Sequence, residues 1–193
     1  MKLKRVLQYA HELMRETLKD GDIAIDATCG NGHDTLFLSQ LIGKTGHVYA
    51  YDIQEQAIKN TSERLNENNL HTRATLFQES HDMIEATIPR EHLEKLQGAI
   101  FNLGYLPGSD KSIVTTPEQT TESVQTILNF LQPSGLVVLV VYYGHPGGEK
   151  EKHALLQYVE RLDQKSFNVL QYGFINQKNS PPFIVAIEKK KAH

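Results

Sequence analysis

The stretch DATCGNGHDTLFL, residues 26–38, decides how this chain is read. It joins a short apolar run, IAIDAT at 23–28, to a segment in which Leu36, Phe37 and Leu41 recur at helical spacing. Gly30 and Gly32 stand in the turn between them. Without a Cβ they let backbone approach a ligand closely and adopt positive φ at little cost. A glycine turn after a buried strand either cradles a nucleotide or simply reverses the chain, and the flanking sequence has to decide between the two.

Working outward, the strand–helix unit repeats. HVYAYDI (47–53) predicts a second strand and 54–68 a helix with Ala57, Ile58 and Leu65 inward; ATLFQES (74–80) predicts a third strand. A short helical region from His81, interrupted at Pro89, leads to GAIFNLGY (98–105) as the fourth. Pro117 suits a first helical turn, and Val124, Ile127, Leu128 and Leu131 supply that helix's apolar stripe. GLVVLVVYYG (135–144) is apolar throughout, as a central strand covered on both faces requires. A helix over 149–163 follows. FNVLQYGFI (167–175) and PFIVAIEK (182–189) have no helix between them, so they pair antiparallel. Upstream, Val6, Leu7, Ala10, Leu13, Met14 and Leu18 predict an amphipathic helix over 3–18.

Alternating strands and helices imply a mostly parallel sheet covered on both faces, with right-handed crossovers. The expected fold is α/β: a Rossmann-like, seven-stranded mixed sheet with its last strand antiparallel, the arrangement of class I methyltransferases. All 193 residues are expected to form one domain, with the amino-terminal helix packed on the core.

Composition narrows the partners. A net charge of −3 gives no global basic footprint, so nucleic-acid contact needs local patches such as Lys2, Lys4 and Arg5 or Lys189, Lys190 and Lys191. The single Cys29 excludes an intramolecular disulfide framework and a multi-cysteine zinc site; it leaves open a lone thiol nucleophile and suits a reducing cytoplasm. The histidines show no metal-ligand spacing, and no metal is expected. The amino terminus lacks a signal-peptide core, and no segment has the roughly 20 apolar residues of a membrane span. A cytoplasmic protein without membrane contact is expected.

In an open α/β sheet, ligands bind outside the carboxyl ends of the strands. Asp26, ending the first strand, is placed to face a ligand's ammonium group, with Gly30 and Gly32 giving room. Asp52, ending the second, is placed to accept hydrogen bonds from ribose hydroxyls. The spacing D-x-x-x-G-x-G lacks the third glycine of a pyrophosphate loop and the lysine of a P-loop, which favours S-adenosylmethionine over NAD. Glu79, Ser80 and His81 end the third strand, where an adenine edge would lie. In FNLGYLPGSDK (101–111), Asn102 and Tyr105 look like a variant of the N/D-P-P-Y/F loop of amino-group methyltransferases, with Leu103 and Gly104 in place of the prolines. VVYYGHPGGEKE (140–151) brings Tyr142, Tyr143 and His145 to the same rim. One of the two tyrosines must point into the core, because adjacent strand residues face opposite ways. NSPPF (179–183), with Pro181, is expected to wall a substrate pocket.

Together, ATCGNGHDTLFL, FNLGYLPGSDK, YYGHPGGEKE and NSPPFIVAIEK resemble a bacterial family long labelled rRNA methylases, of the MnmM type that acts as tRNA 5-aminomethyl-2-thiouridine methyltransferase. The resemblance runs from about Val6 to Lys189. It implies transfer of a methyl group from S-adenosylmethionine to the 5-aminomethyl amine at the tRNA wobble uridine, leaving S-adenosylhomocysteine, with the tRNA anticodon stem-loop as partner; a homodimer is compatible with it. Carried over as cofactor residues are Asp26, Cys29, Gly30, Asn31, Gly32, Asp52, Gln54, Ser80 and His81. From the strand-end loops themselves, Asn102, Tyr142 and His145 are the candidates for catalysis, and Leu103 (through its carbonyl), Gly104, Tyr105, Tyr143 and Pro181 for contact with the substrate. The alternatives are a small-molecule or rRNA methyltransferase, a non-catalytic nucleotide-binding module and, more distantly, an NAD-dependent reductase.

Overall fold

The computed structural model describes residues 2–104 and 116–191. Seven strands, β1 (Ile23–Asp26), β2 (His47–Tyr51), β3 (Ala74–Phe77), β4 (Leu96–Leu103), β5 (Leu136–Val141), β6 (Phe167–Gly173) and β7 (Phe183–Lys189), form one sheet in the order β3-β2-β1-β4-β5-β7-β6. Only β7 is reversed, pairing antiparallel with β5 on one side and β6 on the other. Without a helix to carry the chain over a face, the connection from β6 can only fold back. The middle strand is β4, and β5 lies beside it with all six residues buried.

The period-two alternation of the strands sorts the helices into two layers. Ile23, Ile25, Tyr49, Tyr51, Phe101 and Leu139 face a layer built from α4 (Ile84–Thr87), α5 (Arg90–Leu93), α6 (Pro117–Phe130) and α7 (Gly148–Val159). Ala24, Val48, Ile100, Val138 and Val140 face α1 (Val6–Thr17) and α2 (His33–Leu41). Each aliphatic side chain buried in this way contributes roughly 1.5–3 kcal/mol of transfer free energy, so a charge at Val138 would break the layer beneath α1. α3 (Glu55–Glu67) lies beside α2 and buries Ala57, Thr61 and Leu65. α6 starts as its sequence requires: Pro117 occupies the first turn, and the Thr116 hydroxyl accepts the Gln119 amide at 3.2 Å, a cap that contributes about 1 kcal/mol.

Boundaries moved by a few residues. α1 starts at Val6, after an extended Arg5, and β1 stops at Asp26 because the Thr28 amide turns back to Asp26 Oδ1 at 3.2 Å. β6 is an edge strand exposed on both faces, leaving Val169 and Leu170 in contact with solvent. Among the described residues no helix is long and apolar enough to cross a membrane.

Candidate active site

The carboxyl ends of β1, β2, β4 and β5 open into a cavity of about 650 Å³. Its floor is the 26–38 stretch. Gly30 (φ +51) and Gly32 (φ +78) take the left-handed backbone that lets the chain turn, and the Gly32 amide donates to the Cys29 carbonyl at 2.7 Å. Three α3 side chains clamp this loop: Thr61 donates to the Gly30 carbonyl (3.1 Å), Asn60 to the Asn31 side chain (2.9 Å) and Arg64 to the Asn31 carbonyl (2.7 Å). Asn60, Thr61 and Arg64 carry no motif, and their pairing across about thirty residues left no trace in the sequence pattern.

Cys29, Gly30, Asn31, Asp52, Gln54, Ser80, His81, Asn102, Gly104, Tyr142 and His145 all line this one cavity. Asp52 spends one carboxylate oxygen on the Gly30 amide and the other on the Gln54 amide, both at 3.0 Å. Burial raises its pKa, and these backbone donors oppose the rise. Burial likewise pushes the Cys29 thiol up, so it is not a thiolate nucleophile. His81 is 3 % exposed, packs edge-on to Phe101, and is pushed down to about 4 by burial, which keeps it neutral. The Ser123 hydroxyl donates to the Gln119 carbonyl at 2.7 Å, so its oxygen accepts from His81 Nδ1 at 2.6 Å. The His81 proton therefore sits on Nδ1, and Nε2 is left as a buried acceptor without a partner among the described residues.

Other expected residues stand back from the cavity. Asp26 is wholly buried behind the loop, accepting from the Thr35 hydroxyl (2.6 Å) and the Thr28 amide; burial, then the charge of Asp34, holds its pKa well above the usual carboxylate range. Gly32 supports the turn from beneath, against Thr61. The Leu103 side chain is buried, and its carbonyl accepts the Tyr142 amide at 2.9 Å. Tyr143 is the tyrosine of the pair that turns away: its ring packs on Phe183, with Lys152 over its face, while Tyr142 lines the cavity. At the 179–183 loop it is Ser180, in left-handed backbone, rather than Pro181 that reaches the cavity. Tyr105 lies outside the described residues.

The tertiary structure adds residues that no motif announced. Asp34, in the first turn of α2, lines the cavity; it accepts from His11 Nε2 at 2.6 Å and from Asn102 Nδ2 at 2.5 Å. His11 comes from α1 with Leu7 beside it on the cavity wall, its ring stacked on Phe37. The sequence signal for Asp34 was only an acid in a first helical turn, which stabilises a helix wherever it occurs. Among the described residues no group of three or more His, Cys, Asp or Glu side chains is arranged to hold a metal ion.

Comparison with known proteins then decides the family. The model of the family described as "Putative rRNA methylase" matches residues 48–188. The chain belongs to that family. A model for the ubiE/COQ5 methyltransferase family also matches residues 3–86. A chloroplastic Arabidopsis thaliana protein, tRNA (mnm(5)s(2)U34)-methyltransferase, is 32% identical over 97% of this chain and 70% of its own length. A Clostridium thermocellum structure described as a "putative rRNA-methylase" superposes with a TM-score of 0.93 at 40% identity, covering 98% of this chain and all of the other. A Streptococcus mutans "putative methyltransferase", solved in complex with SAH, gives 0.88 at 42% identity over 97% and 99%.

The protein is an S-adenosylmethionine-dependent methyltransferase with the class I fold. The cavity suits such a cofactor. Asp34 and Asp52 on its wall provide negative charge for a ligand that carries a sulfonium and an ammonium. That charge would repel the pyrophosphate of a dinucleotide.

Proposed function

We propose that this methyltransferase N-methylates the 5-aminomethyl group of 5-aminomethyl-2-thiouridine at the wobble position of tRNA, taking the anticodon stem-loop as its substrate. The observation that carries the reading is the similarity, over 97% of this chain and 70% of the other, to the Arabidopsis protein named tRNA (mnm(5)s(2)U34)-methyltransferase, for the methylated form of that nucleoside. Local chemistry supports it: Asn102, Asp34 and Tyr142 form a polar corner of the cavity, whose wall also includes His145, and this suits an amine.

In this reading, Cys29, Gly30, Asn31, Gln54, Ser80 and His81 line the cofactor's part of the cavity, and Asp52 bonds the ribose while bracing Gly30. Asp26 and Gly32 act from behind, the first by holding the loop through the Thr28 amide and the Thr35 hydroxyl and the second by letting the loop turn. When bound, the cofactor supplies an electrophilic methyl group on sulfur, and the protein aligns the acceptor in line with it and excludes water. An alkylamine is mostly protonated at neutral pH, so the site must favour the neutral form; desolvation does this. Asn102 Oδ1 accepts from the amine N–H. Tyr142, whose hydroxyl is pushed up by burial and then by Asp34, stays protonated and passes a hydrogen bond rather than acting as a base. That leaves His145 to take the released proton. A wobble base lies in a single-stranded loop and can be splayed into such a cavity without melting a duplex.

The test is incubation with methyl-labelled S-adenosylmethionine and tRNA carrying or lacking the 5-aminomethyl group, beside ribosomal RNA, followed by digestion to nucleosides. Label confined to the aminomethyl nucleoside is expected. Label in ribosomal RNA, which the family's description favours, or in tRNA lacking the group would overturn the substrate assignment.

A further inference from the structure

Asn102 reaches the cavity with a carboxamide whose two ends have opposite polarity, and only the oxygen end can accept a hydrogen bond from a target amine. The opposite end is tied to α2. Asp34 Oδ2 lies 2.5 Å from Asn102 Nδ2, and a carboxylate has acceptors only, so the bond is made by the NH2 end. The Asn102 backbone is held as well, its amide donating to the Thr28 hydroxyl at 2.7 Å. Among the described residues nothing donates to Oδ1. Asp34 is itself held from the other side, its Oδ1 accepting from His11 Nε2 at 2.6 Å while the His11 ring stacks on Phe37 at a centroid distance of 4.0 Å. A chain of hydrogen bonds thus runs from α1 through α2 to the end of β4, and each donor in it is fixed by the acceptor-only carboxylate at its centre.

We infer that Asp34 is a positioning residue for methyl transfer: with His11 behind it, it fixes the rotation of the Asn102 carboxamide so that Oδ1 is presented to the amine. The inference rests on the amine-methylation reading above. Its consequence is specific. In Asp34→Asn the new side chain keeps its oxygen on His11 and turns its NH2 toward residue 102. Asn102 must then rotate to accept, and it offers the substrate a donor instead of an acceptor. The exchange Asp34→Asn/Asn102→Asp reverses the polarity of the central bond: the carboxamide, now on α2, donates to a carboxylate at the end of β4 whose second oxygen faces the cavity.

Two measurements test this. In single-turnover methyl transfer to aminomethyl tRNA, D34N is expected to lose on the order of 10–100-fold in rate. D34N/N102D is expected to recover most of that loss. In side-chain amide NMR of the protein without RNA, the Asn102 NH2 pair should be slow to exchange and should shift when Asp34 is replaced, whatever the substrate is. Wild-type rate in D34N, or an exchange variant no faster than D34N with Asn102 resonances unmoved by the Asp34 change, would overturn the inference. If wild-type protein binds S-adenosylmethionine yet methylates no aminomethyl nucleoside, the substrate reading has failed, and the NMR arm still decides whether Asp34 orients Asn102.

Discussion

The Asp52 carboxylate at the end of β2 holds the Gly30 amide at 3.0 Å, so the acid after the second strand and the glycine turn after the first form one rigid unit. A hydrogen bond to a charged acceptor contributes about 1.5–3 kcal/mol, and removing it also leaves a loop amide unsatisfied beside the cavity. Asp52→Ala is therefore expected to weaken S-adenosylmethionine binding by at least roughly tenfold, about 1.4 kcal/mol, and to lower the melting temperature. Titration calorimetry reads the first effect; an unchanged Kd would remove Asp52 from the cofactor site.

Gly32→Ala should destabilise the fold. At φ +78 an added Cβ is strained, and it would stand 2.8 Å from Thr61 Cα, closer than the backbone of α3 allows. The combined cost is on the order of 1–3 kcal/mol, or several degrees in Tm for a chain of this size. A melt within a degree of wild type would mean that the loop can relax away from α3.

Cys29 is 4 % exposed, and burial raises its pKa. A thiol-reactive disulfide reagent at pH 8 should label the native protein at least roughly 100-fold more slowly than the denatured chain, because the thiolate is both scarce and shielded. Cys29→Ala should keep methyl-transfer activity. Rapid native labelling, or an inactive alanine variant, would restore a reactive role to this thiol.

His81 links stability to pH. Its folded pKa is depressed to about 4 from 6.5, with burial the main cause and Asp82 a small opposing one. The neutral ring's contribution is therefore fully present above pH 6.5 and is lost as pH falls toward 4, at a cost of up to about 3 kcal/mol. Denaturant titrations between pH 7 and pH 4 should show wild type losing stability steeply and His81→Gln losing much less. Parallel slopes for the two proteins would show that another group carries the acid transition.

Much of this molecule is legible along the chain, because a buried strand or an amphipathic helix writes its burial into a period of 2 or 3.6 residues. Every predicted strand is present, Pro117 opens α6, and the uninterrupted apolar run of β5 is buried on both faces. The glycine turn and Asp52 were equally visible, since a position after a strand has one location in an α/β sheet, at the carboxyl edge. Tyr142 and Tyr143 show the limit of that reading: alternation required one to turn inward, and only packing against Phe183 and Lys152 chose Tyr143.

By itself, then, the sequence determined the order of the elements, the mixed sheet and the edge at which the site lies, all consequences of local periodicity and chain connectivity. Tertiary structure alone decided which atoms meet there. Asp34 touches His11 from 23 positions away and Asn102 from 68, and Asn31 is held by α3 side chains about thirty positions away. Such contacts leave no period in the chain. They exist because α1 folds over one face of the sheet, α3 lies alongside α2, and the ends of β1 and β4 are adjacent in the sheet.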